Sequence, residues 1–87
     1  MNDGLSLEAL RQEGHQHATK AGAILKGLSR DEGLAQMSAL RAGLEQRKAA
    51  MYGAGFSPKE VQAWASGYTA GLYDQLDAWL ASLEGQG

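Results

Sequence analysis

The sequence GFSPKEVQAWASGYTAGLYDQLDAWL, at residues 55–80, decides the fold. SPKE near its start is a capping box, in which the Ser57 hydroxyl can accept a hydrogen bond from the amide three residues on, while Glu60 reaches back to the Ser57 amide. Pro58 stands at the first helical position, where a backbone N–H is not needed. Apolar residues then recur with a period of 3.6, which predicts one amphipathic helix over residues 58–84.

Two further helices are predicted upstream of this one. SRDE at residues 29–32 is a second capping box and starts a predicted helix over residues 30–52. Apolar residues at helical spacing predict a first helix over residues 5–28, and the glycine-rich end, residues 85–87, is expected to fray. Proline and valine occur once each, so little of the chain favours strands. The predicted fold is all-α and a single domain over residues 1–87. It is a small three-helix bundle with two long antiparallel helices and a long C-terminal helix.

Each predicted helix has one apolar face when its residues are projected at 100° intervals. The faces of the first helix and the second helix are mostly aliphatic, and the face of the third carries large aromatic side chains. The expected core residues are Leu7, Leu10, Gly14, His17, Ala18, Ala21, Ile24, Leu25 and Leu28 in the first helix, Met37, Leu40, Leu44 and Met51 in the second, and Val61, Trp64, Ala65, Tyr68, Leu72, Leu76, Trp79 and Leu83 in the third.

Composition excludes several classes of protein. The chain has 87 residues, no cysteine and a formal net charge of −2, so disulfides and thiolate chemistry are absent. No window of about eighteen residues is apolar and free of charge, and the start of the chain lacks the pattern of a secretion signal, so a cytoplasmic protein without a membrane span is expected. Residues 15–59 carry +4 and residues 60–87 carry −4. This asymmetry offers one basic and one acidic surface to partners.

Glycines inside the predicted helices suggest close backbone contacts, because each costs about 1 kcal/mol relative to alanine. Gly67 and Gly71 are four residues apart and lie with Ala63 and Ala70 opposite the aromatic face of the third helix. A strip of small residues lets another backbone approach closely. The strip is either a solvent-exposed alanine surface or a docking face for a dimer or a partner helix, and the costly glycines favour docking.

Tyr73 and Leu80 lie beside the apolar face of the third helix rather than within it. Aromatic residues at such margins are typical of contact surfaces. Together with Asp74 and the strip of small residues they form the predicted partner-binding surface, which comprises Ala63, Gly67, Ala70, Gly71, Tyr73, Asp74 and Leu80. The partner is expected to be another protein, and a homodimer is expected as well.

Catalysis has little support in the sequence. His15 and His17 are the only histidines, and side chains two residues apart on a helix point in nearly opposite directions, so the two cannot share a metal ion or a proton relay. His17 is expected in the core and His15 at the surface. No metal-ligand or phosphate-loop motif is present. The chain is therefore predicted to be non-enzymatic, with no metal site and no cofactor.

The segment GFSPKEVQAW resembles the turn and second helix of a helix-turn-helix DNA-binding motif. The resemblance covers about twenty residues and implies that Gly55 and Phe56 form the turn while Ser57 caps a reading helix. It places three residues at the major groove, namely Lys59, Gln62 and Ala63. It places three others at phosphates, namely Arg41, Arg47 and Lys48. A DNA-binding regulator that uses residues 47–64 is the alternative function.

The first hypothesis is a protein-binding helical module that acts as an adaptor, a chaperone or an inhibitor by docking a helix face. Its size also fits a phage- or plasmid-encoded inhibitor of a host complex. The acidic residues that follow Lys59 favour this hypothesis over DNA binding, because affinity for DNA depends on neutralising phosphates.

Overall fold

The computed structural model describes residues 6–86, and within that range the chain is helical. The first helix, α1, spans Leu7–Gly22 and continues into one turn of 3-10 helix, Ala23–Leu25. The second, α2, spans Arg30–Gly53, and the third, α3, spans Pro58–Gln86. The predicted small all-α bundle is confirmed.

Three helix boundaries differ from the prediction by two or more residues. The first helix was expected to reach residue 28, but the chain leaves the helical conformation at Lys26, whose ψ is 128°, and Gly27, with a φ of 83°, completes the turn that follows. The third helix was expected to fray from residue 85, but α3 continues to Gln86. Helix α1 begins at Leu7, with Ser6 as its extended N-cap residue, rather than at the predicted residue 5. Residues 1–5 and Gly87 lie outside the described residues.

Capping hydrogen bonds start the two long helices as the sequence predicts. The Glu32 amide donates to the Ser29 hydroxyl at 3.3 Å, and the Ser29 amide donates to the Glu32 carboxylate at 3.0 Å. Ser57 and Glu60 exchange the same pair of bonds at 3.2 and 2.8 Å. Hydrogen bonding to the backbone and then to the side chain of Ser29 lowers the pKa of the Glu32 carboxyl. The turn before α3 is closed by Gly55, whose φ is 100°.

The main packing interface joins α1 and α3, which run parallel. Small residues recur every four positions on both helices: Gly14, Ala18 and Gly22 on α1, and Ala63, Gly67 and Gly71 on α3. A Cβ added to Gly67 would overlap the Arg11 carbonyl oxygen, and one added to Gly71 would lie 2.8 Å from the carbonyl oxygen of His15. The two backbones are therefore in direct contact, and these glycines allow it.

Helices α2 and α3 form an antiparallel hairpin. The indole of Trp79 lies against Gly33, near the start of α2. Towards the other end of the hairpin, the Arg47 guanidinium lies 5.4 Å from the centre of the Trp64 ring system. These contacts are separated by 14 residues on α2 and by 15 on α3, so the helices keep one register along the hairpin.

Helix α3 is the centre of the fold, because α1 packs on one side of it and α2 on another. Trp64 stacks on Tyr68 with ring centroids 5.1 Å apart, and the Trp79 indole donates a hydrogen bond to the Leu28 carbonyl at 3.3 Å. The buried apolar residues are Leu10, Ala18, Leu25, Met37, Met51, Val61, Ala63, Trp64, Tyr68, Leu72 and Trp79. The core is therefore richest on α3, as the apolar face of that helix predicts.

The predicted core is wrong for three residues of the first helix. Leu7 is 43% exposed in the first turn of α1, where it borders an open hollow with Arg11 and Lys59. His17 is exposed, with its ring 5.7 Å from the Trp64 ring and tilted by 59°. Ile24 is 50% exposed. His17 and Ile24 differ from the prediction because close contact through Gly14 and Ala18 turns a narrow stripe of α1 toward α3. The side chains beside that stripe remain outside.

The molecule is elongated, with extents of 53, 20 and 14 Å. Its radius of gyration is 14.6 Å, whereas a compact domain of this length has a value of roughly 12 Å. Helix α2 contributes only Gly33, Met37 and Met51 to the buried set, although it spans 24 residues. Much of α2 is thus only lightly packed.

Gly43 differs from the glycines at the α1–α3 interface, because a Cβ added there would meet no atom within 4 Å. We expect Gly43→Ala to stabilise the domain by about 1 kcal/mol, since alanine is the better helix former. Urea denaturation followed by circular dichroism measures the change. A decrease in the free energy of unfolding would contradict the conclusion that the space beside Gly43 is open.

Candidate protein-binding groove

The predicted strip of small residues is an interface within the chain. Ala63 is 6% exposed, and Gly67 and Gly71 lie directly against the α1 backbone. The sequence predicted that another helix would approach this strip and assigned it to a dimer or a partner. That assignment is corrected for these three residues, because α1 of the same chain already occupies their face.

The other predicted partner-binding residues lie outside this interface. Tyr73 is 57% exposed, Ala70 is exposed and Leu80 is half-buried. Asp74 accepts a hydrogen bond from the His15 ring at 3.2 Å, which ties the exposed edges of α1 and α3 together. Of the predicted set, Tyr73 thus presents the largest accessible apolar surface.

An open groove separates α2 from α3 beside Tyr73. Its volume is about 420 Å³, and α1 contributes none of its lining. The lining residues are Leu34, Met37, Ser38, Arg41, Leu44, Glu45, Thr69, Leu72, Tyr73 and Leu76. Aliphatic and methionine side chains form its floor, and polar and charged side chains form its two rims. An apolar floor with a polar rim is the usual composition of a protein-binding surface.

The groove exists because α2 is packed tightly only near its two ends. Gly33 fits against the Trp79 indole at one end of the hairpin, and Met51 is buried at the other. Between these ends, Leu40 and Leu44 are only half-buried. Of these two, Leu44 lines the groove, so the middle of α2 leaves apolar surface uncovered beside α3.

Leu34 belongs to the groove but was not predicted from the sequence. It is 47% exposed and lines the groove on the α2 side. Four positions farther on, Ser38 lines the same rim, and Arg41 and Glu45 continue it. The sequence feature that could have identified Leu34 is its spacing from Arg41, because residues seven positions apart lie on the same side of a helix.

The residues predicted for DNA contact are dispersed. Arg47 lies over the Trp64 ring, Lys48 pairs with Glu45 at 3.5 Å, and Arg41 lines the groove. Lys59 and Gln62 line a hollow beside Leu7 and Arg11, and Gln62 also lines one with Glu45 and Lys48.

The hairpin also differs in geometry from a helix-turn-helix motif, whose helices cross at roughly 90–120°. Here α2 and α3 are antiparallel, and the contact of Gly33 with Trp79 keeps them together along the hairpin. The turn predicted at Gly55 is present, but the helices on either side of it do not diverge. DNA binding through residues 47–64 stays a prediction.

Within the described residues, no group of three or more His, Asp or Glu side chains is arranged to hold a metal ion. Burial raises the pKa of the Tyr68 phenol. Its ring is stacked on Trp64 and lines a small hollow with His17 and Arg47, outside the groove.

No helix in the described range 6–86 combines the length and apolar character needed to cross a bilayer. No protein-family model, curated protein or solved structure matches this chain.

Proposed function

We propose that the chain is a non-enzymatic protein-binding module that docks an apolar helix in the groove between α2 and α3. The observation that carries the proposal is the open apolar floor between half-exposed Leu34 and Tyr73. A partner helix with apolar residues at i, i+4 and i+7 would cover this floor. An adaptor, a chaperone or an inhibitor could each act in this way.

The composition of the groove supports a protein ligand. Met37 is the α2 side chain buried at its floor, and methionine adapts its shape to different apolar neighbours. Tyr73 supplies a large rigid ring with a polar hydroxyl, a combination enriched at binding hot spots. Arg41 and Glu45 on the opposite rim offer both signs of charge.

Tyr73→Glu tests the groove. We expect this variant to lose a captured protein partner, because a carboxylate would be desolvated against an apolar helix. Ile24→Glu is the matched control, since Ile24 is 50% exposed and does not line the groove. Tagged wild type and both variants would be incubated with host lysate, with and without nuclease, and then washed at high salt.

The proposal requires a stoichiometric protein that survives nuclease and is retained by wild type and Ile24→Glu but not by Tyr73→Glu. Circular dichroism would establish that all three chains are equally folded. Retention of the same protein by Tyr73→Glu would contradict the proposed site. Material that is lost on nuclease treatment would instead support the DNA-binding alternative.

A further inference from the structure

The outer face of α3 continues the groove along the molecule. At 100° per residue, the residues that project within about 60° of Tyr73 form one stripe. These residues are Lys59, Gln62, Ser66, Thr69, Ala70, Tyr73, Leu76, Asp77, Leu80 and Glu84. The stripe and the facing rim of α2 form the groove face, whose end nearest the start of α3 borders Leu7 and Arg11 of α1.

Charge on the groove face is divided between its two ends. Toward the start of α3 lie three bases, Arg41, Lys48 and Lys59, with one acid, Glu45, which gives +2. Toward the end of α3 lie three acids, Asp31, Asp77 and Glu84, with one base, Arg30, which gives −2. The two ends of the groove face therefore carry charges of equal size and opposite sign.

We infer that the occupant of the groove face is a second copy of this chain, arranged antiparallel so that the basic end of each copy covers the acidic end of the other. This inference rests on the proposed function, because it assigns a partner to the same groove. A two-fold axis through the region of Tyr73, perpendicular to the helices, produces this arrangement. Two hairpins stacked face to face in this way form a four-helix bundle, an arrangement that commonly buries lightly packed helices.

The register of the hairpin places the charges at matching distances from Tyr73. The contacts Gly33–Trp79 and Arg47–Trp64 set Arg41 level with about residue 71 of α3, and Lys48 level with about residue 64. At a rise of 1.5 Å per residue, these bases lie about 3 and 14 Å from Tyr73 toward one end. Asp77 and Glu84 lie about 6 and 17 Å toward the other end. The two-fold rotation stacks α2 on α2 and α3 on α3 of the second copy. Arg41 and Lys48 then lie within about 3 Å along the axis of the level of an acid, but one helix to the side of it, whereas Lys59, about 21 Å from Tyr73, faces Glu84 on the stacked α3 helices.

The groove face falls in the lower part of the size range of specific interfaces, about 600–1,000 Å² per partner. Its length from Gln62 to Glu84 is about 33 Å, and a width of two helices gives roughly 650 Å² for each copy before surface relief is included. Specific interfaces bury about 800 Å² per partner. Contact across this face would cover Tyr73 and Leu34, two of the most exposed large apolar side chains of the chain.

Sedimentation equilibrium over a concentration series tests the inference. We expect the wild-type chain to reach twice its monomer mass of 9.2 kDa. The double variant Asp77→Lys/Glu84→Lys makes both ends basic, and Arg41→Glu/Lys48→Glu makes both ends acidic. Each double variant alone should dissociate at a concentration roughly tenfold or more above that of wild type, because like charges then face each other.

An equimolar mixture of the two double variants should restore the dimer as a heterodimer, because the basic ends then face acidic ends. The substituted residues are exposed or half-buried, and circular dichroism would establish that each variant is folded. A wild-type chain that stays monomeric would overturn the inference. So would a dimer that both double variants form as tightly as wild type, or a mixture that remains monomeric.

The failure of this inference is distinguishable from failure of the proposed function. A monomeric wild type that still retains a protein through Tyr73 overturns the antiparallel dimer and leaves the groove as a site for a different partner. A monomeric wild type with no Tyr73-dependent partner overturns both. A dimer that Tyr73→Glu dissociates and Ile24→Glu leaves intact supports both.

Discussion

Gly67→Ala is expected to destabilise the domain by about 3 kcal/mol, because the added methyl group would overlap the Arg11 carbonyl. The obstacle is backbone, so no side-chain rotation can relieve it. Helices α1 and α3 would have to move apart along their main interface. For a domain whose total stability is of the order of 5 kcal/mol, this loss would leave about 2 kcal/mol, so that roughly 3% of the molecules would be unfolded at room temperature.

Gly43→Ala is the matched control for this experiment. Both glycines lie within long helices, and both substitutions raise helix propensity by the same amount. They differ in the space available to the new methyl group, which is open at Gly43 and occupied at Gly67. Urea denaturation of the two variants should therefore give changes of opposite sign. Equal stabilisation by both would show that α1 does not pack on α3 as described.

Trp64→Ala is expected to destabilise the domain by about 4 kcal/mol, because it removes the largest fully buried side chain. Its ring contacts Tyr68, His17 and Arg47, so the cavity would lie where all three helices meet. The transition followed by near-ultraviolet circular dichroism would report the loss through the environment of the remaining aromatic residues.

A pair of milder substitutions refines this prediction. The buried indole nitrogen of Trp64 has no acceptor among the described protein atoms, whereas that of Trp79 donates to the Leu28 carbonyl. Trp64→Phe removes a donor that makes no hydrogen bond within the protein, and Trp79→Phe leaves an acceptor without its partner. We therefore expect Trp64→Phe to be the less destabilising of the two. The reverse order would show that the Trp64 nitrogen is hydrogen-bonded in solution.

Helix positions were predictable because their determinants are local. Ser29 and Ser57 cap helices through residues three positions away, and the apolar period of α3 identifies its buried face without knowledge of the partner. The end of α1 was less predictable, because Gly27 could either continue a helix or end it. Its left-handed φ resolves that choice in the folded chain.

The identity of contacting helices was harder to predict than their existence. The sequence showed that Gly67 and Gly71 need a close neighbour, but the projection of one helix cannot say which element that is. The matching signal was present on α1, where Gly14, Ala18 and Gly22 repeat the same four-residue spacing. Two small strips of equal spacing in one chain are a reason to pair them with each other before invoking a partner.

The groove depends on features that a single-helix projection does not contain. Leu40 and Leu44 fall on the predicted apolar face of α2, yet they are only half-buried because α2 is tightly packed near its ends. The role of Leu34 could not be predicted from α2 alone, because it depends on Tyr73 of α3, which lines the same groove. The geometry between helices, rather than the character of either one, creates this surface.

The pairing of α1 with α3 also affects how the chain folds. Residues that touch across this interface, such as Gly14 with Trp64 and Gly22 with Gln75, are about fifty positions apart in sequence. Closing so long a loop has an entropic cost, and it must be met before the backbone contacts form. Most helical bundles owe their rapid folding to contacts between neighbouring segments. During synthesis, α1 leaves the ribosome long before its main packing surface exists, so the native contacts of the two ends of the chain form only once α3 has been made.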